Sequence, residues 1–239
     1  MEDGAVVSPS EPPVLTLAPQ VPRERSALVE SVVDTLREAI IQQRLKPGER
    51  LNQVQIAEQL GVSRMPVREA ITALTSEGLV EPLRAGGVAV RPLRARDVQD
   101  VYAVRIALES YAARSLAEGT SRFPTRVDDV LDAHRLSIPS YTTKQLLEVD
   151  SLFHRSILES TGNDYFLRSL VPVWSVVERA MYAVLQAPEI VSTVWEEHES
   201  IAAAIREGDA DKAEVRLRNH LIHGAKVFQE RIPVESAKR

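Results

Sequence analysis

The stretch Gln55-Ile56-Ala57-Glu58-Gln59-Leu60-Gly61-Val62-Ser63-Arg64-Met65-Pro66-Val67-Arg68-Glu69-Ala70-Ile71 decides the fold. Ile56, Ala57 and Leu60 fall at helical spacing, Asn52 precedes Gln55 by three in the manner of a capping box, and Gly61 can close the short helix. Ser63 can cap a second helix with Pro66 in its first turn, where a missing N–H costs little because those donors have no intrahelical acceptor. Along that helix Val67, Ala70, Ile71 and Leu74 line one side, while Arg64, Arg68 and Thr72 step along the other, and Gly78 ends it. Such a helix fits the DNA major groove, where the planar fork of arginine can pair with guanine or clamp phosphates. An isolated pair of arginines one turn apart is usually just a solvated surface. The neighbours must decide.

Upstream, Leu28, Val32, Leu36, Ala39 and Ile40 predict a helix over 26–44 that stops at Lys46-Pro47-Gly48. Downstream, 79–83 and 88–92 read as a β-hairpin around Arg84-Ala85-Gly86-Gly87, whose small residues permit close approach to a DNA backbone. Three short helices and a hairpin make a winged helix-turn-helix over 23–93. Before it, residues 1–22 hold five of the 14 prolines and no apolar periodicity, and read as a disordered leader. Beyond Leu93 no strand signal remains. Helical patterns over 97–118, 126–137, 143–160, 165–186, 190–206 and 210–231, with a Phe123-Pro124 break and Pro172 as a kink, predict an all-α bundle over 96–231 and a short tail at 232–239. The expected fold class is therefore mainly α, in two domains.

The same 55–71 stretch, followed by Glu77-Gly78-Leu79-Val80, resembles the winged-helix motif of the GntR family of regulators. Met65 departs from it, standing where the family usually has a small polar residue. The resemblance implies that Arg64 and Arg68 contact operator bases or nearby phosphates, with Ser63, Met65 and Thr72 on the same reading face. Arg84, Gly86 and Gly87 of the wing would add backbone and minor-groove contacts.

Charge distribution agrees with DNA contact by one half only. The net charge of −5 divides into three acids and no Lys or Arg in 1–22, 12 Lys/Arg against nine acids in 23–96, and 17 against 22 in 97–239. No cysteine is present, which removes disulfides, thiolate metal sites and cysteine nucleophiles and fits a reducing cytoplasm. The first residues lack a basic region followed by an apolar one, so no signal peptide is expected, and no apolar run is long enough to span a membrane.

In the second domain Asp150 and His154 lie four apart on one helical face, and His198 and His220 fall on two later helices. One carboxylate with three imidazoles suits Zn, Ni, Mn or Fe better than Ca or Mg, zinc being the ion expected on isolation. Single histidines on half-apolar helices are more often structural than ligating. However, Asp150-Ser-Leu-Phe-His154, Ser160-Thr-Gly162-Asn163, Glu197-His198 and Asn219-His220-Leu221 together resemble the FCD effector domain of the FadR subfamily, in the version that binds a metal through one Asp and three His. The resemblance argues against an acyl-CoA ligand. It implies that Arg105, within Val101-Tyr102-Ala103-Val104-Arg105-Ile106-Ala107-Leu108-Glu109, holds a ligand carboxylate, although a salt bridge to Glu109 at i+4 competes for it. Asn163 is a second ligand candidate or a helix terminator, His223 an alternative to His220, and His134 structural.

The combined expectation is a homodimeric regulator, a repressor more than an activator, that binds an inverted-repeat operator in double-stranded DNA and responds to a small carboxylate. A direct metal-ion sensor differs only in the signal. A metal-dependent hydrolase lacks HExxH, GxSxG and phosphate-loop motifs to support it.

Overall fold

The apolar positions of the N-terminal third converge on one small core. The computed structural model describes residues 23–119 and 125–231, so the readings made for 1–22, for Phe123-Pro124 and for 232–239 fall outside the described residues. Helices α1 (Arg23–Ile41), α2 (Gln53–Leu60) and α3 (Arg64–Ser76) pack Val32, Leu36, Ile40, Ile56, Val67, Ile71 and Leu74 together, and strands β1 (Val80–Pro82) and β2 (Val88–Val90) close the core with Val80 and Val90. Asn52 caps α2 by accepting from Val54 N and Gln55 N, and Gly61 ends it in the left-handed region at φ 65°, as its sequence predicts. Ser63 occupies the N-cap position of α3 with extended backbone, but its hydroxyl makes no capping bond.

The wing pairs Val80 with Val90, Glu81 with Ala89 and Pro82 with Val88. Gly86 and Gly87 take φ 82° and 84°, conformations that side-chain-bearing residues rarely adopt. The hairpin is not alone. The chain just after Pro47 lies along the other edge of β2, through Gly48 N to Val90 O, Val90 N to Glu49 O and Leu51 N to Val88 O, with Arg50 bridging Ala89. This third edge is too short and too close to Pro47-Gly48 to show alternation in the sequence.

The C-terminal domain is all-helical. Its members are α4 (Ala95–Glu118), α5 (Thr125–His134), α6 (Thr143–Ser160), α7 (Asp164–Leu170), α8 (Trp174–Val184), α9 (Pro188–Arg206) and α10 (Ala210–Arg231). Helix α4 runs along α10, and α6, α8 and α9 complete the bundle around Tyr102, Phe153, Ile157, Ala180, Ile201, Leu217 and Phe228. The helix expected over 165–186 is two helices. Pro172 lacks an N–H and its ring crowds the preceding turn, so α7 stops at Leu170 and a 3₁₀ turn over Val171–Val173 restarts the chain as α8. Ile138–Ser140 forms a second such turn after α5.

The two domains meet mainly at α8, where Ser175 Oγ donates to Glu77 O at 3.4 Å and Arg179 Nη2 donates to Arg91 O at 2.9 Å; from α6, Lys144 pairs with Glu38 at 2.8 Å. Burial and the neighbouring Arg91 draw the Arg179 guanidinium down to about 10.

Candidate metal centre and nucleic-acid interface

Asp150 and His154 come from one turn of α6, His198 from the middle of α9 and His220 from α10, so the bundle brings together residues up to 70 positions apart. All four are buried, and one ligand atom from each falls within 4.8 Å of all the others. His198 Nε2 lies 3.6 Å from Asp150 Oδ1, His154 Nε2 lies 3.9 Å from the same oxygen, and the His154 and His220 Nε2 atoms face each other at 3.2 Å. Metal–ligand bonds of about 2.0–2.2 Å place neighbouring donors of one ion about 3.0–3.4 Å apart, so the 3.2, 3.6 and 3.9 Å spacings are close to those of donors sharing an ion.

The hydrogen bonds explain why the nitrogens converge. Glu109 Oε2 accepts from His154 Nδ1 at 2.7 Å, and Glu197 Oε2 accepts from His220 Nδ1 at 2.7 Å. Burial alone would raise the Glu109 carboxyl, but Arg105 and His154 outweigh it and hold it at about 2. Glu197 is likewise drawn below the usual carboxylate range by His220 and His223 against the effect of burial. Both carboxylates can therefore only accept, both imidazoles spend their Nδ1 proton on them, and the two Nε2 lone pairs are left facing one another. Two lone pairs so disposed can hold a cation between them. Asp150 Oδ1 and both ring nitrogens of His198 have no hydrogen-bond partner, an expensive condition for buried polar atoms unless something binds them. Burial, reinforced by His220 and His154, pushes the His198 pKa well below its ordinary value, which keeps it a neutral donor. His198 is held in place by stacking on Phe153 at 3.9 Å.

Arg105 is 1% exposed and engaged. Its Nε donates to Glu109 Oε1 at 2.6 Å and its Nη2 to Glu109 Oε2 at 3.3 Å, while the guanidinium lies over the rings of Tyr102 and Trp174 at 5.0 and 5.7 Å. The competing salt bridge expected from the i+4 spacing is thus formed. Arg105, His154 and His220 nonetheless line one narrow cavity, with Tyr102, Met181, Glu197 and His223 on its wall. The Tyr102 hydroxyl is also unpartnered, and burial lifts its pKa to about 12. Asn163 does not line this cavity; it is exposed, and its Oδ1 accepts from Tyr165 N to cap α7. His223 pairs with Glu197 at 2.9 Å and His134 with Tyr141 at 2.8 Å.

On the N-terminal domain Ser63, Arg64, Met65, Arg68 and Thr72 are exposed on α3, and Arg84, Gly86 and Gly87 at the wing tip. Among the described residues, Arg64, Arg68 and Arg84 form no ion pair or side-chain hydrogen bond, so their donors are free. Thr72 is partly committed, since its hydroxyl donates to Arg68 O at 3.0 Å. Sequence reasoning missed Arg50, whose Nη2 donates to Gly86 O at 2.6 Å and braces the wing tip from the neighbouring edge. It also missed the role of the two carboxylates behind the histidines, of which Glu109 was visible only as a partner for Arg105 and Glu197 only as a residue of the motif. No helix of the described residues is long and apolar enough to cross a membrane.

Residues 28–90 match the family of bacterial regulatory proteins termed gntR, and residues 100–223, about half of the chain, match the FCD domain. Over 190 residues, 79% of this chain and 85% of the relative, the sequence is 26% identical to the uncharacterized HTH-type transcriptional regulator YdhC of Bacillus subtilis. It is 28% identical over 201 residues to the gluconate operon transcriptional repressor of Bacillus licheniformis, covering 82% of each. A crystal structure of a putative transcriptional regulator GntR from Rhodococcus sp. RHA1 shares the fold with a TM-score of 0.73 at 23% identity, over 87% of this chain and all of that one.

Proposed function

Because this chain belongs to the gntR family of bacterial regulatory proteins and joins that DNA-binding domain to an FCD domain, and is a transcriptional regulator and not an enzyme, we propose that its operator binding is switched by a small carboxylate docked at a metal ion. Asp150, His154, His198 and His220 hold the ion, and Arg105 faces the same cavity. The observation that carries this reading is the convergence of four buried donors, three of whose atoms have no other partner. A bound divalent ion supplies a positive centre and open positions for an anionic oxygen. The chain's own residues do the rest: they fix the imidazoles, exclude water and set a guanidinium beside the site. One relative is the repressor of a gluconate operon, which agrees with regulation by a small acid.

The regulator acts as a homodimer on an inverted repeat, with Arg64 and Arg68 of each copy in successive major grooves and Arg84 at the wing. It belongs to the FadR-type branch, acts in the cytoplasm and functions as a repressor. Ligand can change operator affinity only by binding one arrangement of the two reading heads better than the other. The test is to identify small acids that co-purify by mass spectrometry, then titrate operator DNA with metal-loaded protein with and without that acid. A shift in affinity is expected; identical curves at saturating acid would remove it as the effector.

One observation favours a second reading, in which the metal itself is the signal. Arg105 already holds Glu109 at 2.6 Å and so has fewer donors left for an acid. If stripping and refilling the metal alone moves operator affinity in full, that reading replaces the first.

A further inference from the structure

Two of the three imidazoles that face the centre are anchored from behind by carboxylates, and the anchors differ. Glu197 sits at the cavity wall, partly open to solvent, and divides itself between His220 and His223. Glu109 is fully buried on α4 and bridges two side chains of unlike function: Arg105 one turn back on its own helix, and His154 on α6, 45 positions along the chain.

We infer that Glu109 is a positioning residue of the metal centre, which holds His154 with its Nδ1 proton directed away so that Nε2 presents its lone pair to the ion. The inference rests on the metal reading above and adds to it a residue outside the four ligands. The geometry carries it. Glu109 Oε2 lies 2.7 Å from His154 Nδ1, while Oε1 is occupied by Arg105 Nε at 2.6 Å. With a guanidinium clamped on its other edge, the carboxylate has no proton to give, so the hydrogen bond has one polarity and the imidazole one tautomer. Were Glu109 absent, His154 could place its proton on Nε2, 3.2 Å from His220 Nε2, and satisfy both nitrogens without a metal. A carboxylate behind a ligating imidazole also raises its basicity and fixes its ring plane. His198, which has no such partner on either nitrogen among the described residues, relies on the Phe153 stack instead.

A second consequence concerns Arg105. It completes the chain Arg105, Glu109, His154, so the cation that faces the cavity and the ligand that faces the metal are joined through one carboxylate. An anion that draws the guanidinium off Glu109 acts on the metal centre through His154.

The test uses full-length protein stripped of metal by a chelator and titrated with Zn²⁺ against a competing chelating dye, with Co²⁺ absorption as a readout of ligand geometry. Glu109→Gln is expected to weaken Zn²⁺ affinity about 10–100-fold and to alter the Co²⁺ spectrum. That variant leaves Arg105 buried without its counter-ion and risks misfolding, so Arg105→Met/Glu109→Gln, which keeps the buried charge balanced, is measured beside it. The double variant is expected to keep wild-type helicity by circular dichroism and to lose Zn²⁺ affinity at least about 10-fold. A folded double variant with wild-type Zn²⁺ affinity and an unchanged Co²⁺ spectrum would overturn the inference while leaving the metal centre standing. Wild-type protein that binds no Zn²⁺ would overturn both.

Discussion

Arg64 and Arg105 show how differently one residue type can be employed. Arg64 and Arg68 are exposed on α3 with no partner among the described residues, so each keeps its full set of donors for DNA. Substituting either with Ala is expected to cost about 1–3 kcal/mol in specific operator affinity, with thermal stability unchanged because no packing is lost. Fluorescence anisotropy beside a melting curve checks both parts. Arg105 is buried and bound to Glu109 through Nε and Nη2, and its surroundings were only half legible in sequence. The i+4 spacing to Glu109 could be read directly, whereas the bond from Glu109 to His154 spans 45 positions and exists only once α4 meets α6. The convergence of the four candidate donors was more legible: Asp150 and His154 share a helical face by spacing, and the two later histidines stand out by motif resemblance. Asn163 belongs to the turn before α7, where a side chain that accepts from Tyr165 N is spent on capping. By contrast Glu197, at a partly exposed site, is expected to weaken Zn²⁺ binding on replacement by Gln, but by less than Glu109 does, in the same dye competition.

At the level of elements, α2 was legible because cap, apolar stripe and terminating glycine all agree, and α3 because its apolar stripe and Gly78 do, although Ser63 makes no capping bond. The edge just after Pro47 gave no signal, being held by backbone bonds to β2 and not by any side-chain pattern. Pro172 was legible as a kink but acts as a full break, since the turn it sits in hands the chain to α8 at a new angle. Helix α8 then does the joining of domains, and Glu178 on it is the element's weak point. Burial raises its carboxyl pKa above 4.5 more than Arg37 and Arg155 lower it. In the unfolded chain it titrates near 4.5, so the folded state holds the proton more tightly. Its contribution to stability is therefore full below that value and declines as pH rises through the window above it. Glu178→Gln removes the decline. In urea denaturation at pH 4 and pH 7.5 the variant is expected to gain on wild type at the higher pH; an equal difference at both would show that the carboxylate is not held protonated by the fold.

Across the whole molecule the two halves are divided by charge and joined by packing. The DNA-binding half carries the excess of Lys and Arg and the helical half the excess of acids, so association with DNA is steered to one end and should fall steeply with added salt. The cavity beside the metal ligands and the DNA-binding domain share one helix. Met181 of α8 lines the cavity, Trp174 lies against Arg105, and Ser175 and Arg179 hold Glu77 and Arg91 of the other domain. A rearrangement at the cavity thus has a continuous packed route to the wing and α3. A metal held by these donors would also bear on folding. Ion bound only by the native state at about 1,000 times its dissociation constant adds about 4 kcal/mol, so zinc-loaded protein is expected to melt well above chelated protein. Whether the four buried donors hold an ion is decided by the metal content of the purified chain, by elemental analysis after dialysis, set against the His198→Ala and Asp150→Ala variants. One transition-metal ion per wild-type chain and none in the folded variants is the expected result; a wild-type chain that stays folded and retains no ion, or variants that keep it, would contradict the metal centre.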